Sequence, residues 1–419
     1  MAVGAFLEPA IVVGLLAGGT IINRNKTPAS TSASSSPLTS RPDPWSDFEY
    51  PSDEENAPGK PQRPKSRSSS ISSEVPFGLS GGEKNASGKW RKRTLRFLSW
   101  EREVTTPNTA VFRQRLLSRL LRALPFLVEV WYWALVYWVY QLGRAFSAVH
   151  LAASTVDTAR THALQVIAVE KWLGIFVEAD IQRWFTSHPN LMRWTNRTYS
   201  FIHIPGTILF LIVLYYVTTA RPKRIMLEAQ ADGLPLRKWK QPAAQMGPGI
   251  YTKRRRTMAM CNLLAFIVFT FWPCMPPRLL SDPTYDGPDA AEARSYGFVD
   301  TVHGADGDSS VWTTNRFCNQ YAAMPSLHFG YSFLIGLTIA TIPLRGRGRL
   351  GWKRLAAIFI GMIYPAIILA AIVSTANHFI LDAVAGACAC LLAWKFNGVL
   401  LNLLPVEDWF LRVLRIHKP

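Results

Sequence analysis

Six separate stretches of mostly apolar residues constrain this sequence more than any other feature. A helix rises 1.5 Å per residue, so about twenty residues cross the ~30 Å hydrocarbon core of a bilayer. The stretches cover residues 124–142, 199–219, 258–275, 328–344, 355–374 and 379–401. They predict an all-α integral membrane protein built as a six-transmembrane helix bundle, and they exclude an ordinary soluble enzyme.

The distribution of charge predicts which side of the membrane each loop faces. The loop 221–256 contains ten Lys or Arg and two acids, and the turn 345–354 contains five bases and no acid. Both are expected in the cytosol, where basic loops collect. The loop 280–320 contains seven acids and two bases, so it is expected on the opposite side. The net charge of +18 is therefore a topology signal, and no nucleic-acid partner is expected.

Three segments precede the bundle. Residues 1–22 are apolar without a basic start, so an extra membrane helix and an interfacial anchor are the two alternatives. Residues 23–88 are rich in Ser and Pro and predict a disordered tail, because they cannot bury enough apolar area. Residues 89–122 are basic and predict an amphipathic helix on an anionic membrane surface. The bundle then covers 123–404, and residues 405–419 are expected to be a cytosolic tail.

The segment 158–185 separates the first two apolar stretches. Its apolar residues recur every three or four positions, but it is too charged to span. It predicts one or two interfacial helices on the outer side. The sequon at Asn196 is expected to face outward, Glu129 to be bonded inside the bundle, and His203 to pack or hydrogen-bond against a neighbouring helix, with a role in a site as the second alternative.

Three ionisable residues map to the outer ends of the spans: His328, His378 and Asp382. Charged groups within membrane helices are costly, so each needs a partner or a function. His378 and Asp382 are four residues apart and share one face of a helix. The carboxylate can then accept a hydrogen bond from one ring nitrogen, leaving the other free to attack. A second histidine, His328, can protonate a departing oxygen. This combination predicts phosphoryl transfer without metal or cofactor.

A phosphate in this site also needs positive charge or N–H donors around its oxygens. Arg278 lies at the outer end of the third span and can reach the same layer. The N–H groups of the stretch from Pro325 to His328, with Ser326 within it, lead into a helix and offer a second anion site. A surface role for Arg278, with its head group in the membrane interface, is the alternative.

Three motifs resemble those of the type-2 phosphatidic acid phosphatase superfamily. The stretches NQYAAMPSLHFGYSF and STANHFILDAVAG, whose histidines are fifty residues apart, resemble its second and third motifs, and PPRLL resembles the first. The combination is closest to the branch that contains the fungal inositol phosphorylceramide synthases. The resemblance implies a six-helix membrane bundle in which His378 is the nucleophile, Asp382 orients it, and His328 is the general acid.

Two positions depart from the wider superfamily. Phe271 and Ile372 stand where that superfamily has a lysine in its first motif and an arginine in its third. The loss of two cations disfavours a generic lipid phosphatase and gives Arg278 more of the charge. Arg316 and Asn377 are expected to compensate.

The preferred hypothesis is a phosphotransferase that moves a phosphate or phosphoinositol head group from a lipid to an acceptor alcohol. One alternative is a lipid or prenyl diphosphate phosphatase with the same site, and another is a non-catalytic membrane scaffold. The expected partners are the membrane and its phospholipid and lipid-alcohol substrates. We expect a multi-pass protein of the Golgi, the endoplasmic reticulum or another secretory-pathway membrane, with its site on the lumenal side.

Overall fold

The structure is a computed structural model that describes residues 2–25, 89–97, 99–149, 153–199, 203–231, 247–301, 320–343 and 351–419. The chain is mostly helical and divides into two compact units. The larger unit contains Met1–Asn25 and Leu120–Asn402, and the smaller contains Lys26–Arg119 and Leu403–Pro419. Arg316 lies outside the described residues, as does the predicted tail from Lys26 to residue 88.

The helices are α1 (Ala2–Ile22), α2 (Leu116–Ala123), α3 (Phe126–Val149), α4 (Ala153–Leu173), α5 (Glu178–Thr186), α6 (Pro189–Arg197), α7 (His203–Tyr215), α8 (Arg221–Ala231), α9 (Pro248–Phe271), α10 (Ala290–Ser295), α11 (Leu327–Thr341), α12 (Trp352–Ser374), α13 (Ile380–Phe396) and α14 (Leu404–Leu414). A π-helical turn, Tyr216–Ala220, joins α7 to α8, and 3-10 turns occupy Thr109–Phe112, Pro277–Leu279 and Asn397–Leu403. The strands are β1 (Trp90–Phe97) and β2 (Trp100–Pro107).

Within the described residues, three helical runs are long and apolar enough to cross a membrane: His203–Ile225, Trp352–Ser374 and Ile380–Leu414. A fourth crossing is counted if the bent pair Leu116–Ala123 and Phe126–Gly143 forms one span. Helix α11 is apolar but has only 15 residues, and the first half of α9 carries the basic run KRRR. Length and composition therefore support three or four of the six predicted crossings.

Glycines let the helices of the larger unit approach closely. A Cβ atom at Gly336 of α11 would lie 2.5 Å from the carbonyl oxygen of Gly361 in α12. A Cβ atom at Gly386 of α13 would lie 2.3 Å from the carbonyl oxygen of Ser326, just before α11. Real Cβ atoms do not come this near to a backbone oxygen, so both crossings depend on glycine. Helix α11 is thereby packed between α12 and α13.

The predicted basic loop 221–256 is largely helical at both ends, because α8 begins at Arg221 and α9 already begins at Pro248. Some of its cations are used inside the bundle. The Arg255 guanidinium donates to Glu129 at 3.0 Å, which confirms that Glu129 is bonded between helices. The guanidinium of Arg254 lies 3.2 Å from the ring centroid of Trp394.

The segment 158–185 contains two helices, α4 and α5, within the predicted one or two, and α6 follows it before the second predicted span. Their polar residues are more deeply buried than interfacial helices would allow. Glu170 and Glu178 are fully buried. Asn196, predicted to face outward, is buried and donates to the carbonyl of Thr301 at 2.9 Å. These helices are therefore packed into the fold, since their polar groups find partners there.

The basic segment 89–122 is a β-hairpin over most of its length, so the prediction of an amphipathic helix holds only for α2. The antiparallel register places Arg96 opposite Glu101. Ion pairs Arg96–Glu101 at 3.0 Å and Lys92–Glu103 at 2.9 Å cross the hairpin. Opposite charges facing each other across strands favour this pairing, and the run Val104-Thr105-Thr106 favours extended backbone.

Residues 405–419 are not a free tail, because α14 packs against β2 within the smaller unit. The buried carboxylate of Asp408 accepts two hydrogen bonds from the Arg93 guanidinium, at 2.9 and 3.1 Å, and one from the Thr106 hydroxyl at 2.8 Å. Farther along, His417 Nδ1 lies 3.0 Å from the Thr109 hydroxyl. A buried carboxylate needs such partners, and they are on the hairpin.

Candidate active site

Two helices begin side by side and set the positions of the predicted catalytic residues. Ser326 caps α11, and its hydroxyl oxygen accepts the N–H of Phe329 at 3.3 Å. Asp382, in the first turn of α13, accepts the N–H of Phe379 at 3.0 Å. The Ser326 N–H donates to the backbone carbonyl of Asp382 at 2.9 Å. This bond ties the starts of the two helices together, so His328 and His378 face one another.

The two histidines are within reach of a shared reacting atom. Nε2 of His378 lies 3.4 Å from Nδ1 of His328, and the ring centroids are 5.6 Å apart. Nδ1 of His378 lies 2.9 Å from the carbonyl oxygen of Ala323. Because a carbonyl only accepts, this nitrogen carries the hydrogen. Nε2 of His378 therefore holds the lone pair, pointed toward His328.

Asp382 lies beside the His378 ring as a more distant charged neighbour. Its Oδ2 lies 3.4 Å from Nδ1 of His378 and is completely buried. The Ala323 carbonyl is the nearer acceptor by this comparison. The carboxylate therefore adds negative charge beside the ring, which favours an imidazole that becomes cationic during attack, while the backbone holds the tautomer.

Arg278 is held in place by three hydrogen bonds, so it is not a surface residue reaching into the membrane interface. Its Nε donates to Oδ1 of Asn377 at 3.0 Å, and Nη1 donates to Asp300 at 2.6 Å. Its backbone N–H donates to the carbonyl of Ala376, a residue in the left-handed region with φ of 50°. The Arg278 side chain is buried. Asn377 is the chain neighbour of His378, so the cation and the nucleophile are held by one short segment.

The structure brings His328, His378, Asp382 and Ser326 into one cluster and joins Arg278 to Asn377 beside it. The two positions where this chain lacks a cation that the wider superfamily has differ in their exposure to solvent. Phe271 is 83% exposed, and Ile372 is completely buried.

A third histidine, His203, lies beside the pair. Its ring centroid is 5.0 Å from that of His328, and Tyr199 packs on His328 at 4.6 Å. Nδ1 of His203 lies 3.0 Å from the hydroxyl oxygen of Tyr364 in α12. The predicted hydrogen bond to a neighbouring helix is thus confirmed, and the ring also touches the site. The sequence feature that indicated a place near the site for His203 is its position at the start of an apolar helix.

Two buried carboxyl groups beside the candidate site escaped the sequence predictions. Glu170 Oε1 accepts the N–H of Leu381 at 2.8 Å, and Glu178 Oε1 accepts the N–H of Ile380 at 2.9 Å. Burial first, and then the Glu178 carboxylate, raise the pKa of Glu170 to about 9. A signal existed, because Glu170 follows the buried residues Val166 and Ile167 at helical spacing and so lies on the apolar face of α4.

Comparison with known proteins agrees with this arrangement. The family model described as the PAP2 superfamily matches residues 164–230 and 244–396, together more than half of the chain. No curated protein and no solved structure gives a significant match. The matched residues include both histidines, Asp382, Arg278 and both buried glutamates. The chain therefore belongs to the PAP2 superfamily and is a membrane-associated enzyme of the phosphatase and phosphotransferase class.

Proposed function

We propose that this enzyme moves a phosphate or phosphoinositol head group from a lipid donor to an acceptor alcohol, as an inositol phosphorylceramide synthase does, through a phosphohistidine on His378. The main support is the position of the lone pair on Nε2 of His378. That nitrogen is 3.4 Å from Nδ1 of His328, and the opposite ring nitrogen is occupied by the Ala323 carbonyl.

In the first step, Nε2 of His378 attacks the phosphorus of the donor lipid. A nitrogen–phosphorus bond forms, and the bond from phosphorus to the lipid alkoxide breaks. His328, protonated beforehand, gives its proton to that alkoxide, so the donor leaves as a neutral lipid alcohol. Asp382 lies close enough to stabilise the positive charge that develops on the His378 ring.

In the second step, the hydroxyl oxygen of the acceptor attacks the phosphorus of the phosphohistidine. His328, now neutral, takes the hydroxyl proton, and the nitrogen–phosphorus bond breaks. Nε2 of His378 recovers its lone pair, and His328 recovers its proton. The same two residues therefore serve both half-reactions, and no proton or electron is left over.

The limited positive charge of the site favours a phosphodiester donor. Arg278 already pairs with Asp300 at 2.6 Å, and positions 271 and 372 offer no cation. The N-terminus of α11 has the partial positive charge that favours a phosphate oxygen. A phosphodiester such as phosphatidylinositol carries one negative charge, whereas a phosphomonoester carries about −1.5 to −2 at neutral pH. A head-group transferase therefore fits these residues better than a monoester phosphatase.

The membrane arrangement is also part of the proposal. The six spans would be α3, α7 with α8, α9, α11, α12 and α13. The site would then lie where α9 and α12 end and α11 and α13 begin, opposite the basic turn 345–354. By the positive-inside rule this is the lumenal side of an endoplasmic reticulum or Golgi membrane.

The proposal is tested by incubating membranes containing the protein with phosphatidylinositol labelled in its head group, together with ceramide. Labelled sphingolipid is expected from the wild type and none from His378→Ala. His188→Ala, which changes an exposed histidine, is the matched control and should be fully active. Release of free phosphate or inositol phosphate without labelled sphingolipid would identify a hydrolase. Turnover by His378→Ala at the wild-type rate would refute the phosphohistidine.

A further inference from the structure

Two carboxyl groups from outside the three motifs lie against the start of the helix that carries Asp382. Glu170, on α4, accepts the N–H of Leu381, and Glu178, on α5, accepts the N–H of Ile380. Both glutamates are fully buried, more than 200 residues from their partners in sequence. The first N–H groups of a helix lack intrahelical partners and favour acceptors with negative charge. The two side chains therefore fix where α13 begins.

The same cluster contains more acidic groups than it can ionise together. Glu170 and Glu178 accept the N–H groups of the adjacent residues Leu381 and Ile380, so their carboxyl groups lie close together at the turn that carries Asp382. The Cys274 thiol follows α9, and burial first, and then the charges of Asp382 and Glu170, raise its pKa. Two carboxyl groups held this close in a buried site disfavour double ionisation, because each negative charge raises the pKa of the other group. The raised pKa of Glu170 agrees with a proton held there at neutral pH.

We propose that Glu170 and Glu178 share one proton and act as positioning residues for the nucleophile, a role that rests on the proposed function. They anchor the two residues immediately before Asp382, whose carboxylate stands 3.4 Å from Nδ1 of His378. Displacement of this turn would move Asp382 and His378 relative to the phosphorus. A misplacement of about 1 Å can cost about 100-fold in rate.

The first test compares variants of Glu170 in the labelled-lipid assay. Glu170→Gln keeps an acceptor for Leu381 and imitates the protonated carboxyl, so its kcat should stay within about threefold of the wild type. Glu170→Ala removes the acceptor and should lower kcat by roughly 30- to 100-fold with little change in KM. Asp180→Asn, on the exposed side of α5, is the matched control and should be unchanged. A wild-type kcat for Glu170→Ala would overturn the positioning role.

The second test does not need activity and remains informative if Glu170→Ala fails to fold. A carboxyl whose pKa is raised on folding makes the folded state less stable as pH rises between the unfolded and folded pKa values. The Tm of the purified wild type should therefore fall relative to that of Glu170→Gln between about pH 5 and pH 9, and the gap should then level off. A gap that is constant across this range would overturn the shared proton.

The two tests separate this proposal from the proposed function. A wild type that transfers no head group from phosphatidylinositol would refute the function. An active wild type accompanied by an equally active Glu170→Ala would refute only the positioning role. The turnover of the wild type should also decline above about pH 9, whereas Glu170→Gln should not decline at that point. If the turnover of both proteins declined in the same way at high pH, that result would also count against the shared proton.

Discussion

Nδ1 of His378 donates to a backbone carbonyl, and the Asp382 carboxylate is a more distant charged neighbour. The Ala323 carbonyl is at 2.9 Å and the Asp382 carboxylate at 3.4 Å. A carbonyl cannot donate, so it holds the tautomer even without the carboxylate. We therefore expect Asp382→Asn to lower kcat by about 10- to 100-fold, the range typical of an outer hydrogen-bond partner, whereas His378→Ala removes activity. A loss as complete as that of His378→Ala would show that the carboxylate sets the tautomer.

The assigned role of His328 predicts a dependence on the leaving group. His328→Ala should lower turnover of a natural lipid donor by about 100- to 10,000-fold, because the alkoxide then departs unprotonated. A nitrophenyl phosphodiester has a leaving group that needs no proton, so the loss with that donor should be far smaller. The measurement is the ratio of wild-type to variant rates of leaving-group release in a single turnover, because kcat also contains the second step, in which His328 acts as the base. Equal losses for both donors would contradict the general-acid role.

The residues that cluster at the candidate site could be predicted from the sequence, but the groups that support them could not. The four-residue spacing of His378 and Asp382 and the placement of His328 at a helix start are local patterns. The Ala323 carbonyl has no side-chain signature, since every residue carries one. Glu170 meets Leu381 only because α4 folds back on α13, and contacts across so many residues leave no periodic signal.

At the scale of elements, the meeting of α11 and α13 depends on Gly386. A Cβ atom there would lie 2.3 Å from the carbonyl oxygen of Ser326, the residue that starts α11. Gly386→Ala should separate the two helix starts, destabilise the protein by about 1–3 kcal/mol as overpacking does, and lower kcat. Gly398→Ala is the control, because nothing lies within 4 Å of a Cβ atom at that position. Tm and kcat of both variants check this, and a fully active Gly386→Ala would contradict it.

Helix boundaries could be predicted where apolar runs and caps agree, and not where charges mask the pattern. Helix α11 begins one residue before the predicted start, and α13 one residue after. In the hairpin, Arg and Lys dominate β1, and the acids that neutralise them are on β2. Their pairing is visible only once the strands are opposed, so the segment resembles a basic helix in sequence.

At the scale of the whole molecule, the directions in which the helices of the larger unit run place the site at one end of the bundle. Helices α9 and α12 end there, and α11 and α13 begin there. The acidic residues around α10 follow α9 on this end, whereas the basic turn 345–354 joins α11 to α12 at the other. Loops rich in Lys and Arg stay in the cytosol and set orientation. The charge pattern and the chain direction thus agree on one orientation.

This orientation predicts the labelling of single cysteines in sealed microsomes, whose outer face is cytosolic. Lys353→Cys, exposed at the start of α12, should react with a membrane-impermeant maleimide before permeabilisation. Ser295→Cys, exposed at the end of α10, should react only after detergent opens the vesicles. Labelling is read against the wild type, which corrects for native thiols such as Cys388. The reverse order would put the histidines on the cytosolic side, where a lumenal head-group donor is out of reach.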